Sequence, residues 1–177
     1  IADGLVSVTV PVGAFSDAAG NLNEVASNTS SSDADNTAPT AAIGALTLGG
    51  GTFTADITLS EDSVDLIAGD LTLVNATAEL AGAGSNFVVT LTPIADGLVS
   101  VTVPANSFSD AAGNFNEVAS NTSSADFDGT PPTAVIGALS PTGDGRFSAD
   151  VTLSEDSNDL LAGDFTVVNA NTQLSGS

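Results

Sequence analysis

The segment SFSDAAGNFNE at 107–117 gathers Asp110, Asn114, Asn116 and Glu117 around Gly113. Oxygens at this density suit a hard cation. Calcium takes about six to eight oxygen ligands from carboxylates, amides and carbonyls, and a glycine permits the sharp turn that collects them. The spacing is not that of an EF-hand loop. The same residues also suit an Asx-rich turn whose side chains bond their own backbone. The motif occurs upstream as AFSDAAGNLNE at 14–24, with Asp17 and Asn21 in the matching places. Other acidic residues come in close groups: Asp33 with Asp35, Glu61 with Asp62, Asp126 with Asp128, and Glu155 with Asp156. All of these are candidate metal ligands, and calcium is the expected cofactor. Asp65 and Asp70, repeated as Asp159 and Asp164, are read as solvating their loops.

The composition removes most other chemistry. The 177 residues include 22 acidic residues and one basic residue, Arg146, for a net charge of −21. There is no Cys, His, Met, Trp or Tyr. That excludes thiol and Ser-His nucleophiles, zinc-finger chelates and ordinary haem or iron–sulfur ligation. One Arg cannot neutralise a phosphate backbone or an anionic membrane face, so neither nucleic acid nor a membrane is an expected partner. Paired carboxylates also serve glycosidases, but here they sit in turns, and no Trp or Tyr offers a sugar platform. No enzymatic activity is expected. With 42% apolar residues the chain is too hydrophobic for a disordered acidic tail. No apolar run has the length of a membrane span, and the first residues do not form a signal segment, so any export signal is expected outside this sequence.

The elements that carry these acids repeat. Residues 1–31 recur at 94–124 with 27 of 31 identical, differing only at Val12, Gly13, Ala14 and Leu22. TAPTAAIGAL at 37–46 returns as TPPTAVIGAL at 130–139, and FTADITLSEDSVDLIAGDLTLVN at 53–75 returns as FSADVTLSEDSNDLLAGDFTVVN at 147–169. The offset is 93, rising to 94 after an extra residue near Asp144. The repeat is therefore domain-sized. Only GSNFVVTLTP at 84–93 has no second copy. The sequence is read as a window on a longer array; the alternative is completion of its outer parts by neighbouring copies through strand exchange.

Within the repeat, TFTADITLS at 52–60 alternates strictly, with Phe53, Ala55, Ile57 and Leu59 on one face, which predicts a half-buried antiparallel strand. LVSVTV at 98–103, NFVVTLT at 86–92, LTLVN at 71–75 and AAIGAL at 41–46 predict further strands, and the segment after Glu117 a weaker one. No stretch keeps a helical period. Asp- and Pro-rich stretches at 33–40 and 126–133 mark boundaries. They give the C-terminal part of one repeat at 1–36, a complete repeat at 37–129 and the N-terminal part of the next at 130–177. Six or seven short strands in about 93 residues predict a β-sandwich.

The run DGLVSVTVPANSFSDAAGN, the TPPT linker, the SED loop and GDLTLVNATAEL together resemble the bacterial immunoglobulin-like repeats of large secreted adhesins and biofilm-associated surface proteins. The resemblance implies an all-β chain of tandem Ig-like sandwiches, an extracellular or cell-surface setting, and calcium between domains. It also implies that the loop after the second strand, the loop before the last strand and the incoming linker share one end of the sandwich. Glu61 and Asp62, Asp110 and Asn114, and Asp33 and Asp35 should then converge. Two carboxylates about 4 Å apart repel by about 1 kcal/mol in water and more near protein, and Lys and Arg are not at hand to relieve it.

Two functions follow. The first is a structural segment of a long surface fibre, an adhesin stalk or biofilm-matrix filament. Its partners are neighbouring repeats of the same chain or identical subunits head to tail, with any host or matrix surface reached by regions outside this sequence. The second is a binding module that recognises a glycan or protein through a loop. Near-identical units favour the stalk. Asn28, Asn75 and Asn121 fit the N-x-S/T pattern and are read as solvated loop residues; Phe108, Phe115 and Phe127 are expected at sandwich ends or junctions.

Overall fold

The computed structural model describes residues 2–176. The chain divides into two compact units, Ile1–Gly129 and Thr130–Ser177. The first unit begins with an antiparallel pair, β1 (Gly4–Val8) and β2 (Ser30–Ala34), which forms a sheet of its own. The body of the unit is built on two further sheets. In one, β3 (Ala41–Ile43) and β4 (Thr47–Gly49) follow one another along one edge of β5 (Thr52–Ser63), while the 3₁₀ turn Ala68–Asp70 and β6 (Thr72–Val74) lead to β7 (Ala76–Pro93) on the other edge. In the other, β8 (Gly97–Thr102) lies between β6 and β9 (Ser123–Phe127).

The alternation of β5 decides which face is buried. Phe53, Ala55, Ile57 and Leu59 all point inward, and Phe53, Ala55 and Ile57 lie opposite Leu91, Val89 and Phe87 of β7. Val99, Val101 and Val103 complete the core from the second sheet, with Phe108 behind them. Phe53 meets Phe127 edge to face at 6.2 Å. β-branched and aromatic residues fit such a pleated, half-buried surface. Phe108 therefore belongs to the core rather than to a sandwich end, whereas Phe115 is exposed.

β7 is one run of 18 residues, but it cannot be straight. An extended strand of that length spans about 60 Å, yet the Ile94 N–H at one end donates to the Asn75 carbonyl at the other, at 3.0 Å. The run doubles back at Gly82 and Gly84, both with positive φ. At Gly82 the approach is so close that a Cβ would lie 2.3 Å from the Asn86 carbonyl oxygen.

Side chains fasten β3 to the segment that enters β9. Asn121 accepts from the Ile43 N–H at 2.9 Å and donates to the Ile43 carbonyl at 2.8 Å, and Ser123 Oγ donates to the Gly44 carbonyl at 2.7 Å. Asn121 is thus a clamp between strands, not a solvated loop residue. Asn75 likewise takes a positive φ and bonds Ala95 in both directions.

The second unit holds β10 (Ala134–Ile136) paired with β13 (Val151–Leu153), β11 (Ser140–Gly143) paired with β12 (Arg146–Ser148), and the 3₁₀ turn Ala162–Asp164. No α-helix occurs among the described residues, and none of their helices is long and apolar enough to cross a membrane. The chain is all β.

Candidate metal centre

Asp110 is positioned by its own loop. Its Oδ1 accepts from the Ala112 and Asn114 N–H groups at 2.8 and 2.9 Å, and its Oδ2 accepts from Asn114 Nδ2 at 2.9 Å. The side chain is buried. Burial pushes its carboxyl up, but the amides of Asn114, Ala112 and Gly113 outweigh that and hold it below the usual carboxylate value. Gly113, at positive φ, closes the turn.

Glu61 arrives by a break in register. β5 pairs regularly with β7 up to Thr58, loses step, and resumes at Ser63 opposite Gly84. Ser63 also bridges Asp110, and the Val64 N–H donates to the Ser109 carbonyl. A bulge of this kind re-aims side chains, and here it brings half-buried Glu61 beside Asp110. Asp62, next along the chain, lies over Gly84 instead.

Asp35 comes from the linker after β2. Its carboxylate accepts from the Thr37 N–H, its carbonyl accepts from Asn114 Nδ2 at 3.2 Å, and Asp3 secures the linker by accepting from the Asn36 N–H and the Thr37 hydroxyl. One oxygen each from Asp35, Glu61 and Asp110 lies within 4.8 Å of the others. Glu61 registers the concentration of charge: burial raises its pKa, and Asp35, Asp110 and Asp3 raise it further.

Other candidates fall elsewhere. Asp33 sits in β2 opposite Leu5, and Asp126 in β9 opposite Leu98. Asp17 and Asn21 build the same turn as Asp110 and Asn114, but no second and third carboxylates join them among the described residues. Asp128 follows β9, while Glu155 and Asp156 follow β13 in the second unit, and none of the three joins a carboxylate group of the Asp35 kind among those residues. Asn116 turns inward: its Oδ1 accepts from the Ser107 and Phe108 N–H groups, and its Nδ2 donates to the Pro104 and Val118 carbonyls. It shapes the loop and has no oxygen facing the cluster.

Two acids that brace the cluster are not evident as such in the sequence. Asp65, expected to be solvated, accepts from the Ser109 N–H at 2.7 Å and from the Ser109 hydroxyl at 2.8 Å. Burial raises its pKa, but these bonds and one from Ser63 lower it further than burial lifts it. It braces the loop that carries Asp110. Asp3 adds its charge and its hold on the linker. The repeated Ser-x-Asp at 63–65 and 157–159 is the local signal for the first; only the long-range contact itself reveals the second.

A family described as "Bacterial Ig-like domain" matches residues 35–127. The chain belongs to that family. No curated protein and no solved structure matches it. Bacterial Ig-like domains are typically found in surface or extracellular proteins and are not a catalytic fold. The matched stretch opens at Asp35, so the bacterial Ig-like domain takes in the linker acid along with Glu61 at the end of β5 and Asp110 in its loop.

The donors fit a hard cation. They are all oxygens, and two oxygens on one calcium at about 2.4 Å lie at most about 4.8 Å apart. Asp110 Oδ2 accepts a hydrogen bond from Asn114 Nδ2, and a carboxylate oxygen has a second lone pair that an ion could use.

Proposed function

We propose that this chain is a structural segment of a long bacterial cell-surface or extracellular fibre, an adhesin stalk or biofilm-matrix filament, stiffened by calcium at the junction where the linker after β2 enters the sandwich. The convergence of Asp35, Glu61 and Asp110, drawn from linker, strand end and loop without a basic partner among them, carries this reading. Calcium there would neutralise charge that the fold otherwise has to tolerate. It would also tie the linker to the sandwich, making the junction resist bending. The family supports a surface module, and the absence of His, Cys and Lys supports a non-catalytic one.

Scanning calorimetry of the chain with and without calcium tests it. Extracellular calcium modules bind at about 10⁻⁴ to 10⁻³ M. About 10 mM calcium should then stabilise the first unit by about 1.4–2.7 kcal/mol, a shift of several degrees in the unfolding temperature. An unfolding temperature equal in calcium and in chelator, at matched ionic strength, would remove the cation from the proposal.

A further inference from the structure

Both linkers are held at their start by the same kind of bond. In the first, Asp3 Oδ1 accepts from the Asn36 N–H at 2.7 Å, and its other oxygen accepts from the Thr37 hydroxyl. In the second, Asp96 Oδ1 accepts from the Gly129 N–H, also at 2.7 Å. Asp96 lies 93 residues after Asp3, and Gly129 lies 93 after Asn36. Each bond sits just beyond the end rung of a strand pair, Gly4 opposite Ala34 in one and Gly97 opposite Phe127 in the other. The glycine after each Asp takes nearly the same backbone angle, φ +122° at Gly4 and +115° at Gly97, which few other residues adopt. Each carboxylate thus reaches from the strand that opens the pair to the chain that leaves it.

The bond persists where the sequence around it changes. Asp33, Asp35, Thr37 and Pro39 recur as Asp126, Asp128, Thr130 and Pro132, while the residues between them differ: Ala34 against Phe127, Asn36 against Gly129, Ala38 against Pro131. Two of these changes go together. A Cβ on Gly129 would lie 2.8 Å from the Phe127 ring, whereas the first linker has the small Ala34 there and carries Asn36. The donor is a main-chain N–H, so the exchange of Asn for Gly leaves it in place. An ionised acceptor makes such a bond shorter and stronger than a neutral one. The bonds from Thr37 and Asn36 also hold the Asp3 carboxyl below its usual value.

We infer that Asp3 and Asp96 are linker latches, positioning residues that fix the course of each linker as it leaves its strand, whether or not a cation is bound. In the first linker the latch sets two consecutive residues, Asn36 and Thr37. Thr37, so held, donates its N–H to the Asp35 carboxylate, which lies in the group with Glu61 and Asp110. The linker's contribution to that group is therefore set before an ion arrives, and a preset ligand loses less freedom on binding. In the second linker Asp96 holds Gly129, the residue after Asp128, which is the counterpart of Asp35. The inference deepens the fibre reading, because stiffness where a linker enters then begins with the latch. It rests on a hydrogen bond found twice and not on the cation, so the two can fail separately.

Amide hydrogen exchange of the full chain, followed by nuclear magnetic resonance in chelator, tests it. The Asn36 and Gly129 N–H groups should exchange about tenfold more slowly than in an unstructured peptide, as a hydrogen bond to a charged acceptor supports. Asp96→Ala should free Gly129 and leave Asn36 protected, and Asp3→Ala should do the reverse. The core amides of Ile57 and Val101 stay protected in both and show that the fold is intact. Asp3→Asn should rescue the latch, because its amide oxygen still accepts from Asn36 and its Nδ2 donates to the Thr37 hydroxyl oxygen. With calcium added, Asp3→Ala should raise the half-saturating concentration about tenfold, as lost outer support does at metal sites, and Asp3→Asn by clearly less. Fast exchange of both N–H groups in the wild type overturns the inference. So does Asp3→Asn exchanging like Asp3→Ala, which would mean that the carboxylate acts through charge alone. An Asp3→Ala protein with wild-type calcium affinity overturns the positioning of Asp35. If the wild type ignores calcium, the cation reading falls by itself and exchange in chelator still decides the latch.

Discussion

Asn116 and Asp110 sit in one short loop and both hold its backbone, but only Asp110 also brings a carboxylate into the group with Asp35 and Glu61. Asn116→Ala would strand two buried N–H groups and two carbonyls. The expected loss is about 3 kcal/mol, seen as a fall on the order of 10 °C in the unfolding temperature; a shift within a degree or two would show that the loop is held by something else. Glu61 behaves differently, because its neighbours penalise its charge. A carboxyl whose pKa is raised on folding adds stability at low pH that is lost as pH climbs through the raised value. Asp65 and Asp110, lowered on folding, have the reverse sign, and their contribution disappears as pH falls through their depressed values. Glu61→Gln should therefore raise the unfolding temperature in chelator near neutral pH, while cutting the gain from calcium. Calorimetry of both proteins under both conditions checks this, and a variant that is less stable in chelator yet keeps the full calcium gain contradicts it.

At the scale of elements, β5 was legible because alternation is a strong signal: Phe53, Ala55, Ile57 and Leu59 announce their face. β4 and the first arm of β7 were not. Thr47–Gly49 is too short to show a period, and ATAELAGAG is rich in Ala and Gly, which signal no strand; these segments pair because β5 and the second arm of β7 offer them an edge. The acidic cluster was legible in part for the same reason. The Ig-like resemblance implied a convergence of six residues, of which Asp35, Glu61 and Asp110 form the carboxylate group, while Asn116 and Asp65 depend on which way a loop side chain turns, and spacing does not encode that. Gly82 tests the hairpin directly. Its positive φ and its 2.3 Å approach to the Asn86 carbonyl leave a Cβ no room. Gly82→Ala should destabilise the unit by about 3 kcal/mol, with amide exchange accelerating first across 76–93. Protection in that run equal to the wild type would refute the hairpin.

The whole molecule has to fold against its own charge. A net charge of −21 with a single Arg146 leaves long-range repulsion almost uncompensated. Two kinds of relief are physically distinct. Sodium chloride screens every carboxylate alike, shortening the Debye length from about 30 Å at 0.01 M to about 3 Å at 1 M. Calcium at the Asp35–Glu61–Asp110 cluster acts at one place and saturates. The unfolding temperature should therefore climb steadily with sodium chloride, and calcium at matched ionic strength should add an increment that levels off. Asp110→Asn keeps the general salt response, since it removes one charge among 22 acidic residues, but loses the saturating increment. If calcium instead acts only as a stronger screen, its effect will keep rising with concentration and Asp110→Asn will follow the wild type. That outcome would make the acidic surface an adaptation to ionic strength as a whole, and would leave rigidity at the junction to the hydrogen bonds that Asp3 accepts from Asn36 and Thr37 and that Asn114 donates to Asp35.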